Sequence, residues 1–181
     1  YAVTGVQTCA LPISDELSEA DYRVFILTMT KEKQVYNINE NVEIVAPHKN
    51  YNAGILGKLQ RVKIIRDEII KHKIDVVVAF SHYNAMFSVI ASYGLPVRII
   101  GSERNDPAQL KNRKILNSTR NILYKKLDCL VCQTDEAKAY FPNKIQEKTT
   151  IILNPISASI IDPYCGEIGR ASCRERVFGY V

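Results

Sequence analysis

The chain has 181 residues, 46% of them hydrophobic and 24% charged, with a formal net charge of +5. Those proportions exclude a disordered or fibrous chain, and the mild positive balance is no nucleic-acid signature by itself. No apolar run approaches the roughly 20 residues of a membrane-spanning helix, and no basic-then-apolar leader is read at the start, so a cytoplasmic location is expected.

Taken in order, Tyr1–Ser14 (YAVTGVQTCALPIS) shows neither a helical nor a strand period. It resembles the conceptual translation of a common sequencing adapter, and EIGRASCRERV at Glu167–Val177 resembles that of its partner. Residues 1–14 and 167–181 are therefore set aside as adapter-like artefact and an unattributed tail. The expected domain is 15–166, an internal piece of a longer protein. Within it Asp15–Ala20 reads as the end of a helix, and Arg23–Met29 and Val42–Val45 as strands. Leu56–His72 places apolar residues at 56, 59, 62, 65, 69 and 70, the spacing of one helical face.

The centre of the chain is clearer. Val76–Phe80 is a continuous apolar run, the pattern of a strand buried on both faces of a parallel sheet. Ala85–Tyr93 reads as a short helix stopped by Gly94 and Pro96, and Val97–Ile100 as a second strand, giving a right-handed βαβ unit. Ala108–Leu127 reads as one long helix with Asp106 as cap and Pro107 in its first turn. Its Leu110, Leu116, Ile122, Leu123 and Leu127 are expected in the core. Lys111, Arg113, Lys114, Arg120, Lys125 and Lys126 are expected on a solvated face or against anionic lipid. Tyr124 is the helix's single aromatic, which argues against a nucleic-acid stacking platform. Cys129–Cys132 reads as a strand, Asp135–Tyr140 as a short helix, and Thr149–Leu153 as the last strand.

Strands and helices alternate, which predicts an α/β, Rossmann-like fold: a mostly parallel sheet with helices on both faces. The strand exits are polar: Thr30, His48, Ser81-His82, Ser102-Glu103-Arg104-Asn105, Gln133-Thr134 and Asn154. In a parallel sheet they share one rim, where ligands of such sheets bind. Arg104 suits a phosphate or carboxylate, with pairing to Glu103 or Asp106 as the plain alternative. Glu103 suits ligand hydroxyls or the orientation of Arg104. His82 suits a hydroxyl or an anionic oxygen, against a histidine satisfied by backbone. Asn105 reads equally as turn or ligand contact, Ser81 as a turn former, and Gln133 and Thr134 as caps bordering the rim. Cys129 and Cys132, three apart on a strand, point to opposite faces, so no metal or redox pair is expected.

DVVVAFSHYNAMFSVIASYGLPVRIIGSERNDP, LYKKLDCLVCQTDEAKAYFP and TTIILNPI, in that order, resemble the N-terminal domain of family-4 glycosyltransferases over most of Tyr22–Ile156. The resemblance implies the first half of a GT-B fold, two Rossmann-like domains facing across a cleft. It implies sugar transfer from a nucleotide sugar, with retained configuration, to a lipid-linked or polysaccharide glycan of bacterial type. It places Ser81, His82, Glu103, Arg104, Asn105, Gln133 and Thr134 on the acceptor side of the cleft and Asn154 at the hinge. It names no catalytic residue in this half, no cofactor and no metal. The donor-binding domain, with its two glutamates seven residues apart, is not read here; Glu167 and Glu175 have that spacing only within the adapter-like tail. The family's glycine-rich first turn is not read either. A peripheral site at the inner face of the membrane is the further expectation. The alternatives are a glycan-binding module without turnover and a GT-B nucleotide-sugar epimerase. Donor sugar, acceptor, linkage and oligomeric state are not legible.

Overall fold

The structure, a computed structural model, describes residues 2–4, 7–28, 39–46 and 54–153. Seven strands form one sheet: β1 (Ala2–Thr4), β2 (Val24–Leu27), β3 (Val42–Val45), β4 (Val76–Phe80), β5 (Arg98–Ser102), β6 (Cys129–Cys132) and β7 (Thr149–Ile151). They lie in the order β3-β2-β1-β4-β5-β6-β7, and every pairing is parallel. Strand order reverses between β1 and β4, which makes that gap the topological switch point.

Helix α1 (Gln7–Glu19) covers one face, where Leu11 packs with Val24, Ile26 and Val42. Helices α2 (Gly54–His72), α3 (His82–Ala91) and α4 (Lys114–Tyr124) form a layer on the other. There Ile64, Ile65 and Ile69 join Phe25, Leu27, Val77, Ala79 and Ile99 in the main core. Arg66 locks α2 to α3, since its Nη1 donates to the carbonyls of Ala91 (2.7 Å) and Tyr93 (2.8 Å) at the end of α3. Short helices α5 (Asp135–Ala139) and α6 (Asn143–Gln146) lead into β7. The alternation, the parallel sheet and the helices on both faces are as expected.

Four local expectations are corrected. Residues 1–14 were expected to add no element, yet Ala2–Thr4 lies between β2 and β4, and the helix ending at Glu19 begins at Gln7. Pro12 inside that helix hides it, because proline lacks the N–H that an interior turn needs. On α2, Leu56, Leu59 and Ile70 are exposed, and the buried stripe is Gly57, Ile64, Ile65 and Ile69. The expected helix over 108–127 is broken into a 3₁₀ turn at Pro107–Leu110 and α4, with Arg113 at a non-helical φ of −101° and ψ of 68°. Asp106 does cap, but it caps the turn: its Oδ1 accepts from the Ala108 N–H at 2.8 Å.

The fourth correction concerns which side of α4 is core. Ile122, expected inside, is exposed, and Arg120, expected in solvent, is 0% exposed. The Arg120 guanidinium donates to the Pro107 carbonyl (3.2 Å) and to Asn117 Oδ1 (2.6 Å). It also lies 4.9 Å from the ring centre of Phe141, 5.5 Å from Tyr140 and 5.9 Å from Tyr124. A buried cation needs such partners. The break before α4 is what brings the Pro107 carbonyl within reach.

Gly101 sits where β5 meets α3 and the end of α4, and a Cβ there would lie 2.8 Å from Leu127 Cδ1. Gly101→Val overpacks this junction and is expected to lower the unfolding free energy by about 1–3 kcal/mol. Urea titration checks this: a shift in midpoint at constant m-value is the expected result.

Candidate functional site

The site follows from register. Phe80 of β4 pairs with Ser102 of β5, and Ser102 with Val131 of β6. The residues just past these pairs are brought side by side: Ser81-His82, Glu103-Arg104 and Gln133-Thr134. The Ser81 N–H donates to the Ser102 carbonyl (3.0 Å) and the Glu103 N–H to the Val131 carbonyl (2.9 Å), which carries the ladder one step past the strands.

At the switch-point end the backbone is strained. Ser81 has φ 76° and ψ 154°, a region that costs a non-glycine residue about 1–3 kcal/mol. The strain turns the chain from β4 directly into α3. The Ser81 carbonyl accepts from the Ala85 N–H, and Asn84 Nδ2 donates to the Phe80 carbonyl, fixing the first turn. No side chain caps that turn. The expected helix start at Ala85 therefore moves back to His82, and the polar exit becomes a helix N-terminus aimed at the rim.

His82 is held between an aromatic and an acidic neighbour. Its ring centre lies 4.3 Å from that of Tyr83, and its Nδ1 is 3.9 Å from Glu103 Oε1, too far for a hydrogen bond. Its Nε2 is buried with no hydrogen-bond partner among the described residues. Burial lowers its pKa below the usual 6.5, helped by the positive charges of Arg120 and then Arg113. The imidazole is neutral at neutral pH.

Glu103 is 2% exposed, so its carboxylate faces inward rather than onto an open cleft. Oε2 accepts from the Tyr124 hydroxyl at 2.8 Å. Burial raises the Glu103 pKa, opposed by the Tyr124 bond and Arg120, while Tyr124 is pushed well above its ordinary value. Arg104 is half-buried, its guanidinium 5.4 Å from the ring centre of Phe80. Asn105 is exposed. Thr134 caps α5, its hydroxyl accepting from the Ala137 N–H at 3.2 Å, and Gln133 is half-buried beside it. Burial pushes the Cys132 thiol up to about 11, which keeps it protonated and unreactive. Asn154, Thr30, His48, Glu167 and Glu175 lie outside the described residues.

The rim thus gathers His82, Glu103 and Arg104, with Gln133 and Thr134 one strand further on. Arg120 and Tyr124 are the members that residue pattern alone does not reveal. Their four-residue spacing on one face of α4 is the only signal in the sequence. Among the described residues, no group of three His, Cys, Asp or Glu could hold a metal ion, and no helix is long and apolar enough to cross a membrane.

A parallel sheet with this strand order and a polar rim at its switch point defines a Rossmann-like domain. The sequence profile of Glycosyltransferase Family 4 matches residues 3–159, and the chain belongs to that family. Solved structures agree on the fold. Sucrose-phosphate synthase from Thermosynechococcus elongatus superposes with a TM-score of 0.69 at 9% identity, covering 86% of this chain and 48% of that one. Anabaena HepE, solved with UDP and glucose, gives 0.60 at 12% identity over 86% and 44%. UDP-N-acetylglucosamine 2-epimerase from Rickettsia bellii gives 0.55 at 17% identity over 82% and 42%. The chain thus spans a little under half the length of these three structures. No curated protein matches it by sequence.

The partly buried imidazole makes a testable electrostatic statement. Its folded-state pKa lies below the unfolded value of 6.5, so the native protein resists protonation there. Stability is therefore expected to fall as pH drops through about 6.5 and to stop responding to His82 below the folded pKa. An NMR titration of His82 should give a midpoint below 6.5, and Arg113→Gln, which removes one of the two repelling charges, should raise it.

Proposed function

We propose that this chain is the acceptor-side lobe of an enzyme that moves a sugar from a nucleotide sugar to a hydroxyl of a lipid-linked or polysaccharide glycan. The observation that carries this reading is the His82 imidazole, neutral and 16% exposed, on the strand-exit rim beside the switch point. A neutral imidazole there is suited to a hydrogen bond with a sugar hydroxyl or a donor phosphate oxygen.

The neighbours fit supporting roles. The uncapped first turn of α3 presents backbone N–H groups and the positive end of a helix dipole to the same place. Arg104 offers a guanidinium for an anionic group at the rim. Glu103, held by Tyr124, keeps a buried carboxylate next to His82 rather than touching the acceptor. Asn105, Gln133 and Thr134 border the cleft, and Ser81 supplies the turn. Asn154 is assigned the hinge toward a second lobe. That second lobe would bind the nucleotide sugar and stabilise the leaving diphosphate, the main electrostatic demand of the reaction.

Location follows from charge. With Arg120 buried, Lys111, Arg113, Lys114, Lys125 and Lys126 remain exposed. Each contributes about 1 kcal/mol of attraction when it nears an anionic leaflet. This fits peripheral residence at the inner face of a membrane.

The test is an assay of the two-lobed enzyme with a nucleotide sugar and a lipid-linked glycan. His82→Ala should lower kcat/KM about 10- to 100-fold, the loss of one hydrogen bond of roughly 1.5–3 kcal/mol. Epimerised nucleotide sugar formed without acceptor would instead identify an epimerase, and glycan binding without turnover a binding module.

A further inference from the structure

We propose that the groove between α2, α3 and α4 holds the hydrocarbon chain of a lipid phosphate, its anionic head seated at the cationic mouth beside His82. This rests on the lipid-linked acceptor above and narrows it: the chain of the acceptor, and not only its glycan, is bound by protein.

The groove encloses about 920 Å³, at the upper end of the range of small-ligand sites. Its walls are Leu59 and Val62 of α2, Met86, Phe87 and Ile90 of α3, and Leu123 of α4. Among the described residues, three cations line it, Lys58, Arg113 and Lys114, and no acidic residue does. The cations gather toward one end, with apolar residues beside them and beyond them. Lys58 is in the first turns of α2, and Arg113 and Lys114 open α4, so all three lie near the strand-exit rim. Ile90 and Leu123 are at the far ends of their helices. A charged mouth leading into an apolar trough is complementary to a molecule with an anionic head and a hydrocarbon tail.

Head and catalytic rim are contiguous. Tyr83 lines the groove while its ring packs on His82, and Arg113 lines it while its charge acts on the same imidazole. A phosphate at the mouth would place the group attached to it at the switch point. The walls also carry apolar side chains left in water: Leu59 is 60% and Ile115 86% exposed. A concave trough of this volume suits one chain better than a flat bilayer surface. It lies on the outer helix layer, not on the rim that a facing lobe would cover.

The test titrates the 181-residue chain with farnesyl phosphate by calorimetry. Geranyl phosphate, inorganic phosphate and phosphatidylglycerol vesicles serve as comparisons. Farnesyl phosphate should bind most tightly, with affinity falling about fourfold per methylene removed from the buried chain. The double variant Leu59→Gln/Ile115→Gln changes only exposed positions. With its circular dichroism unchanged, it should bind at least tenfold more weakly. Lys114→Glu should weaken the phosphate-bearing lipid but not farnesol. Equal binding of farnesyl and inorganic phosphate, binding to vesicles alone, an unchanged double variant, or self-association through this face without lipid binding would each overturn the proposal. If lipid phosphate fails to bind while the two-lobed enzyme still glycosylates a soluble glycan, the groove assignment falls and the transferase reading stands. If lipid phosphate binds and the two-lobed enzyme transfers no sugar, the groove assignment stands and the transferase reading falls.

Discussion

The parallel hydrogen-bond ladder from β3 to β7 is the constraint on which the rest of this structure depends. Parallel strands must each be followed by a crossover, so every strand begins at one edge of the sheet and every helix returns on a face. The carboxyl ends of β4, β5 and β6 therefore arrive together, and so do the first turns of α2, α3 and α4. Both the rim with His82 and the cationic mouth of the groove are consequences of that one arrangement. The strand between β2 and β4 matters for the same reason: remove it, and two buried strands lose the partners of their backbone groups.

A second dependence is electrostatic. Glu103, Tyr124 and Arg120 form a buried cluster under the rim, with a carboxylate, a phenol and a guanidinium out of contact with water. Isolated ions there would be costly, so the partners each group finds are a condition of burial rather than a large source of stability. Arg120 meets it with two hydrogen bonds and three aromatic rings. What the cluster provides is a fixed field. Burial, and then the guanidinium, disfavour a charge on His82, and the carboxylate is held in place beside the ring. A rim group kept neutral is suited to hydrogen bonding with an uncharged hydroxyl.

Helix α4 shows how one segment serves both faces. Arg120 and Tyr124 look inward, while Ile115, Thr119 and the cations at its start look toward the groove. Lys148 donates to the carbonyls of Lys125 and Leu127, a cation at the negative end of the helix that fixes its exit into β6. Position along the helix thus assigns each residue to the buried cluster, to the groove or to the cap.

The sequence by itself determined the alternation of elements, the strands Val76–Phe80 and Cys129–Cys132 to the residue, and the polar exits that carry His82 and Arg104. These are local signals: a continuous apolar run bounded by polar residues reads the same in any context. Only the tertiary structure decided that Ala2–Thr4 lies inside the sheet and that Glu103 turns inward. It alone decided that Arg120 is core, and that Leu59 and Ile115 stand in water over a groove. An arginine on an amphipathic helix has no local mark of burial, because its burial depends on aromatic rings some 20 residues further along the chain. Strand pairing and groove formation likewise arise from residues distant in sequence, and no window along the chain contains both partners.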